Sequence, residues 1–290
     1  MDILQLFSWS GLVNGIFSLG FGVFIASRNW KSRTNQLFLA FSLAVAFWAF
    51  IYARWVGLNN AQDALFWNRM LNLVGLWIPI TCFHWLDSAF GFNKQQKHIK
   101  YVIILGYVAT LSISFFAFSP LFINSVGPAS FFDFYPKPGI LFHFFTFGLY
   151  AGLFMLYTSF LLYKMYKQTP SGERGILYLL LGVILGAAGG ATNFLPIYNI
   201  PIPPYGTFFI PVWVFLVGYG TVRYHTLGKV ITTEFLVFLI WSFLLSRVFL
   251  AADFMGRLID IFLFLFVLVI GILLIGSVRR EVDSERHWRN

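Results

Sequence analysis

Positive charge returns along this chain at intervals, and mostly in the same kind of place. Fifteen of the twenty Lys and Arg residues fall in five short clusters: Arg28, Lys31 and Arg33; Lys94, Lys97 and Lys100; Lys164, Lys167 and Arg174; Arg223 and Lys229; and Arg279, Arg280, Arg286 and Arg289. Around them lie nine apolar runs, near residues 6–26, 36–56, 68–90, 101–119, 139–163, 175–195, 207–222, 234–250 and 258–276, and each cluster follows an odd-numbered run. A helix of about twenty apolar residues spans a hydrocarbon core of roughly 30 Å. Connections rich in Lys and Arg stay cytoplasmic during insertion, so the alternation predicts nine spans with the amino terminus outside and the carboxyl terminus cytoplasmic.

The totals agree with this reading. Hydrophobic residues make up 59% and charged residues 11%, and the apolar runs are continuous rather than alternating, which excludes a membrane β-barrel. The chain is read as all-α, a polytopic transmembrane helical bundle. A net charge of +9 would point to nucleic acid in a soluble domain; here topology explains the excess, and the clusters meet anionic lipid headgroups instead. Cys82 is the single cysteine, so no intrachain disulfide forms. The first run has Asp2 before it and a basic cluster after it, the reverse of a cleavable signal peptide, and is expected to remain as an anchor. No connection exceeds about twenty residues on this division of the chain, too short for a separate soluble domain. Any chemistry must use the bundle, its loops or a partner.

Three regions are expected: a seven-helix membrane domain over 1–228, a transmembrane helical hairpin over 229–278, and a charged cytoplasmic tail over 279–290. In the second hairpin segment and its turn, Asp253, Arg257 and Asp260 are spaced to neighbour one another on a helix and to neutralise charge at the outer surface, with Arg247 lying deeper and needing one of those carboxylates. Gly182, Gly186 and Gly190 are four apart, as are Gly11 with Gly15 and Gly148 with Gly152. Such stripes let helix backbones approach closely in lipid, either inside the monomer or at a homodimer face.

Between the sixth and seventh runs the sequence reads Asn193-Phe194-Leu195-Pro196, then Ile200-Pro201-Ile202-Pro203-Pro204-Tyr205-Gly206, before an apolar run ending in Arg223-Tyr224. The prolines imply an extended outer loop, and Gly206 a turn into the next helix. With Asn35 and Phe38 opening the second helix and Trp48 within it, this ordering resembles the amino-terminal seven-transmembrane region of bacterial sensor histidine kinases over about residues 6–228. A nine-helix form with an external amino terminus also looks like the membrane half of some quorum-sensing receptor kinases. The resemblance implies a membrane region that senses an extracellular or membrane-borne signal and passes it to a cytoplasmic kinase or other output protein. The phosphoacceptor helix and glycine-rich ATP-binding domain of such a kinase are not in this sequence. Glu281 to Asn290 read either as the first turns of a signalling helix or as an ordinary basic tail.

Other candidate chemistry is sparse. His84 and Asp87, three apart, share a helix face near the cytoplasmic end of the third run; a proton pair would use such an arrangement, and so would an interhelical hydrogen bond. His98, His143, His225 and His287 are scattered, and no metal-binding or cofactor motif is present. At the outer surface Arg54, Arg69, Asp133, Tyr198 and Tyr205 are the residues expected to bind a small apolar or amphipathic ligand, with Arg223 and Tyr224 as relay toward the output end. Aromatic residues there also suit an interfacial belt. The rival reading is a small-solute or lipid transporter, for which Pro79 and Pro211 would be helix interruptions. The expected location is the bacterial inner membrane.

Overall fold

The computed structural model describes residues 3–168, 174–210 and 254–287, with the single positions 213, 237, 240, 241, 244 and 248. Its helices are α1 (Ile3–Arg28), α2 (Arg33–Val56), α3 (Ala61–Gly75), α4 (Trp77–Phe90), α5 (Phe92–Gln95) and α6 (His98–Ser114), followed by strands β1 (Ile123–Ala129) and β2 (Phe132–Pro138). Then come α7 (Ile140–Gln168), α8 (Arg174–Ala191) and α9 (Phe254–His287). Among the described residues, six stretches are long and apolar enough to cross a membrane: Ile3–Arg28, Arg33–Val56, Ala61–Phe90, Ile140–Gln168, Leu179–Tyr198 and Arg257–Val278. The chain is a helical multi-pass membrane protein. The expected seventh and eighth runs fall almost wholly outside the described residues, as do Arg223, Tyr224, Arg247 and Asp253.

Local sequence explains where the helices start and stop. Ser32 caps α2, its side chain accepting from the Asn35 amide, and Asn60 caps α3 by accepting from the Asp63 amide at 2.8 Å. Both are residue types whose side-chain oxygen satisfies an otherwise unpaired first-turn amide. Gly91, at φ 67°, ends α4 in the left-handed region that favours glycine. The third apolar run is divided between α3 and α4 at Gly75 and Leu76. Pro79 consequently sits in the first turn of α4, where its missing amide costs least.

Small residues set the close approaches. A Cβ on Gly11 would stand 2.8 Å from the Ala49 carbonyl oxygen, and one on Gly22 would stand 2.5 Å from Ser42 Cβ, so α1 and α2 pack with almost no space between them. In α8, Gly186 receives the Trp213 indole and Gly190 the Tyr150 hydroxyl, which gives that stripe partners within the monomer. Gly148 meets nothing within 4 Å among the described residues. Gly206 works by space rather than by turn conformation: it has no positive φ, and a Cβ there would collide with the Gly189 backbone.

The bundle has two chemically different ends. At one, Thr34 Oγ1 and Ser88 Oγ lie 2.8 Å apart, Arg33 Nη2 approaches His84 Nε2 at 3.4 Å, and His98 Nε2 is 2.9 Å from the Tyr157 hydroxyl. These contacts draw together the basic connections around Arg28–Arg33 and Lys94–Lys100. At the other end lie the start of α1, the last turn of α2 and the start of α3. The β1–β2 hairpin covers them.

That hairpin occupies what reads in sequence as a plain outer loop. Its strands are antiparallel, with Gly127 opposite Tyr135 and Ala129 opposite Phe132, and the chain reverses through Ser130 at φ 56°. The proline-rich segment after α8 is wound into short 3₁₀ turns, Thr192–Phe194, Pro196–Tyr198 and Tyr205–Phe209, with an extended stretch between the second and third. Finally, α9 runs 34 residues, about 51 Å at 1.5 Å per residue. That exceeds a hydrocarbon core of roughly 30 Å, so the helix continues well past its apolar stretch, Arg257–Val278.

Candidate functional site: a capped cavity between the helices

A cavity of about 90 Å³ opens among α2, α3, α7 and α8 beneath the hairpin. A single water needs only about 10–15 Å³ on this measure. Its walls are mainly aromatic and aliphatic: Val45, Trp48, Tyr52 and Trp55 from α2, Leu71 from α3, Ile78 from α4, Phe145, Tyr150 and Phe154 from α7. Tyr135 and Pro136 of β2, with Asn193, Phe194 and Ile197 of the 3₁₀ turns, line the hairpin side. Trp213 closes part of the wall and is shared, with Val45, by a second void of about 10 Å³ near Ser18 and Ser42.

The backbone of α7 is shaped for this. Phe144–Tyr157 is wound as a π-helix, so Thr158 bonds through both its amide and its hydroxyl to the Leu153 carbonyl, the latter at 2.8 Å. Phe145, Tyr150 and Phe154 of this wider helix line the cavity.

The roof is fastened by hydrogen bonds from bulky side chains. Trp55 Nε1 donates to the Phe134 carbonyl at 3.2 Å, and the Tyr135 hydroxyl donates to the Asn193 carbonyl at 2.9 Å. Arg69 donates twice to the Ile123 carbonyl, from Nη2 at 2.8 Å and Nε at 3.2 Å. Stacking adds to this: the Trp55 and Phe132 rings lie 5.6 Å apart and nearly parallel. Burial pushes the Tyr135 phenol well above its usual pKa, so it remains a proton donor at physiological pH.

The outer-surface residues singled out in the sequence are dispersed over this end. Arg54 is exposed at the last turn of α2, and Asp133 is exposed on β2. Arg69 is occupied with β1 as described. The Tyr198 hydroxyl lies 2.9 Å from His143 Nδ1. Tyr205 is half exposed, its ring 6.0 Å from Phe7. None of the five lines the cavity.

His84 and Asp87 each engage other partners. His84 Nδ1 is 3.0 Å from the Tyr107 hydroxyl, while the buried Asp87 carboxylate accepts from the Asn93 amide at 2.8 Å and from Asn93 Nδ2 at 2.7 Å, closing the turn after α4. In α9, Asp260 is buried and stands about one turn beyond Arg257. Among the described residues no cluster of three His, Cys, Asp or Glu could hold a metal ion.

Sequence reasoning missed the polar residues of the cavity itself. Asn68 and Asn72 are buried one helical turn apart in α3, and Asn72 Nδ2 donates to the Asn68 carbonyl and to its Oδ1, both at 2.9 Å. Two amides four residues apart in an apolar run were a readable signal, because polar groups inside a membrane face the protein interior or a cavity.

The described residues thus form a multi-pass helical bundle with an aromatic cavity, roofed at the end opposite the basic connections. A family model described as the N-terminal 7TM region of histidine kinase matches residues 12–230, about three quarters of the chain. The chain belongs to that family. Neither a curated protein nor a solved structure gives a significant match.

Proposed function

We propose that the chain is a signal-input domain that detects an extracellular or membrane-borne ligand and passes a helix rearrangement to a cytoplasmic output protein such as a kinase. The observation that carries this reading is the family match across residues 12–230. The roofed cavity adds a place where a stimulus could be felt. On this reading the amino terminus, hairpin and proline-rich turns face outward from a bacterial inner membrane crossed nine times, and the basic end faces the cytoplasm. Arg54, Arg69, Asp133, Tyr198 and Tyr205 form the outer receiving surface, Arg69 by holding β1 to α3. Arg223 and Tyr224 relay toward the output end, and α9 carries the movement out of the bilayer. A stimulus shifts this equilibrium only by the difference in its affinity for the two helix packings.

A reporter kinase fused after Asn290 tests the proposal. Freeing the roof by Arg69→Ala, or by Trp55→Phe with Tyr135→Phe, changes the phosphorylation level of the reporter while membrane insertion is retained. Unchanged output in both variants defeats the sensor reading. Saturable solute flux through vesicles carrying the wild-type chain would support a transporter instead.

A further inference from the structure

Three of the buried polar atoms that lack a hydrogen-bond partner among the described residues belong to cavity-lining side chains: the Tyr52 hydroxyl, Asn68 Nδ2 and Trp213 Nε1. They come from different segments of the chain, and all three residues are more than nine-tenths buried. Thr207 lies near the Tyr52 hydroxyl, but the two do not meet in hydrogen-bond geometry, and Thr207 gives its own proton to the Pro204 carbonyl at 2.9 Å. Buried donors left unpaired are costly, and a native fold that retains several around one space requires an explanation.

The remaining lining sharpens the chemistry. Tyr135, Tyr150 and Trp55 have spent their protons on the carbonyls of Asn193, Ala187 and Phe134. Among the described residues, no Lys, Arg, His, Asp or Glu lines the cavity. A charged occupant would therefore be buried without a counter-ion, which is heavily penalised. A purely apolar occupant would leave the three donors as they are.

We infer that the cavity binds a neutral, mostly apolar small molecule carrying hydrogen-bond acceptors, of the ketone, ester or quinone type, with its acceptor oxygens taken by Tyr52, Asn68 and Trp213. Aromatic walls hold its hydrocarbon part, and the pocket then resembles a ligand site in which a few placed polar groups fix orientation within an apolar lining. This assignment rests on the input reading above for its purpose, but not for its chemistry.

The full chain in lipid nanodiscs is titrated with methyl heptyl ketone, nonane and nonanoate, following intrinsic tryptophan fluorescence, since Trp48, Trp55 and Trp213 line the cavity. The ketone gives a saturable change and binds more tightly than either companion. Tyr52→Phe and Asn68→Leu each weaken it about threefold to tenfold, the worth of one neutral hydrogen bond. The carbonyl stretch of isotopically labelled bound ketone moves to lower frequency than in lipid alone, a readout that requires no variant. Equal binding of nonane, tighter binding of nonanoate, a non-saturable response or an unshifted carbonyl band overturns the assignment. Reporter output that responds to roof variants while the ketone fails to bind removes this chemistry and leaves the sensor reading standing. Ketone binding while the roof variants leave reporter output unchanged does the reverse.

Discussion

The Tyr135 hydroxyl donates to the Asn193 carbonyl across 2.9 Å, joining the hairpin between α6 and α7 to the turn that follows α8. Fifty-eight residues separate the two in sequence, and their bond closes the roof of the cavity from both sides. Tyr135→Phe removes the proton and leaves a carbonyl without its partner. A loss of about 1–3 kcal/mol is expected, measured as a lower midpoint in thermal unfolding of the purified chain. The ring and its packing are retained, so an unchanged midpoint would show that the bond contributes nothing.

Arg69 holds β1 through two N–H groups on one carbonyl, a geometry that the single ammonium of lysine reproduces poorly. Arg69→Ala should raise amide hydrogen exchange across residues 123–138, Arg69→Lys should raise it less, and Asp133→Ala should leave it near the wild-type rate because that side chain is exposed. Equal protection in all three would mean that the hairpin is held elsewhere.

Glycines that look alike in sequence should behave differently. Gly206→Ala forces a methyl group into the Gly189 backbone and is expected to cost about 1–3 kcal/mol as overpacking. Gly148→Ala meets open space among the described residues and should be neutral or stabilising by up to about 1 kcal/mol, because alanine replaces a helical glycine. Unfolding midpoints of the two variants decide, and a similar loss in both would contradict the packing described.

The proposed sidedness has its own check. Cysteine placed at Asn124, exposed on β1, should react with a membrane-impermeant maleimide in intact cells, whereas cysteine at Lys97 should react only after the membrane is opened. The native Cys82 is buried and leaves the labelling to the introduced thiols. Reaction of both from the same side would reverse or abolish the assignment of outer and inner faces.

The apolar runs announced most of the described helices because each backbone amide in lipid must be satisfied within its own segment, which leaves helix as the solution for a continuous apolar stretch. The hairpin had no such signature. Ile123–Ala129 contains Gly127 and Pro128, residues that weaken any strand pattern, and its pairing is supported by Arg69, Trp55 and Tyr135 from outside or across the turn. The cavity was hidden for a related reason: Tyr52, Asn68 and Trp213 meet only after the bundle has formed. Charge drew attention to Arg69, which holds β1, whereas the neighbouring Asn68 lines the cavity. The glycine spacing in α8 was legible as a close approach, but its occupants, Trp213 and the Tyr150 hydroxyl, were not.

We propose that the roof at one end of the bundle is coupled to the far end of α9. Spin labels on Lys97→Cys and Ser284→Cys, in bilayers, report the distance between the α5–α6 connection and the far end of α9. The account predicts that Arg69→Ala, once hydrogen exchange shows the hairpin released, shifts that distance distribution relative to the wild type. An identical distribution with the hairpin released would contradict it.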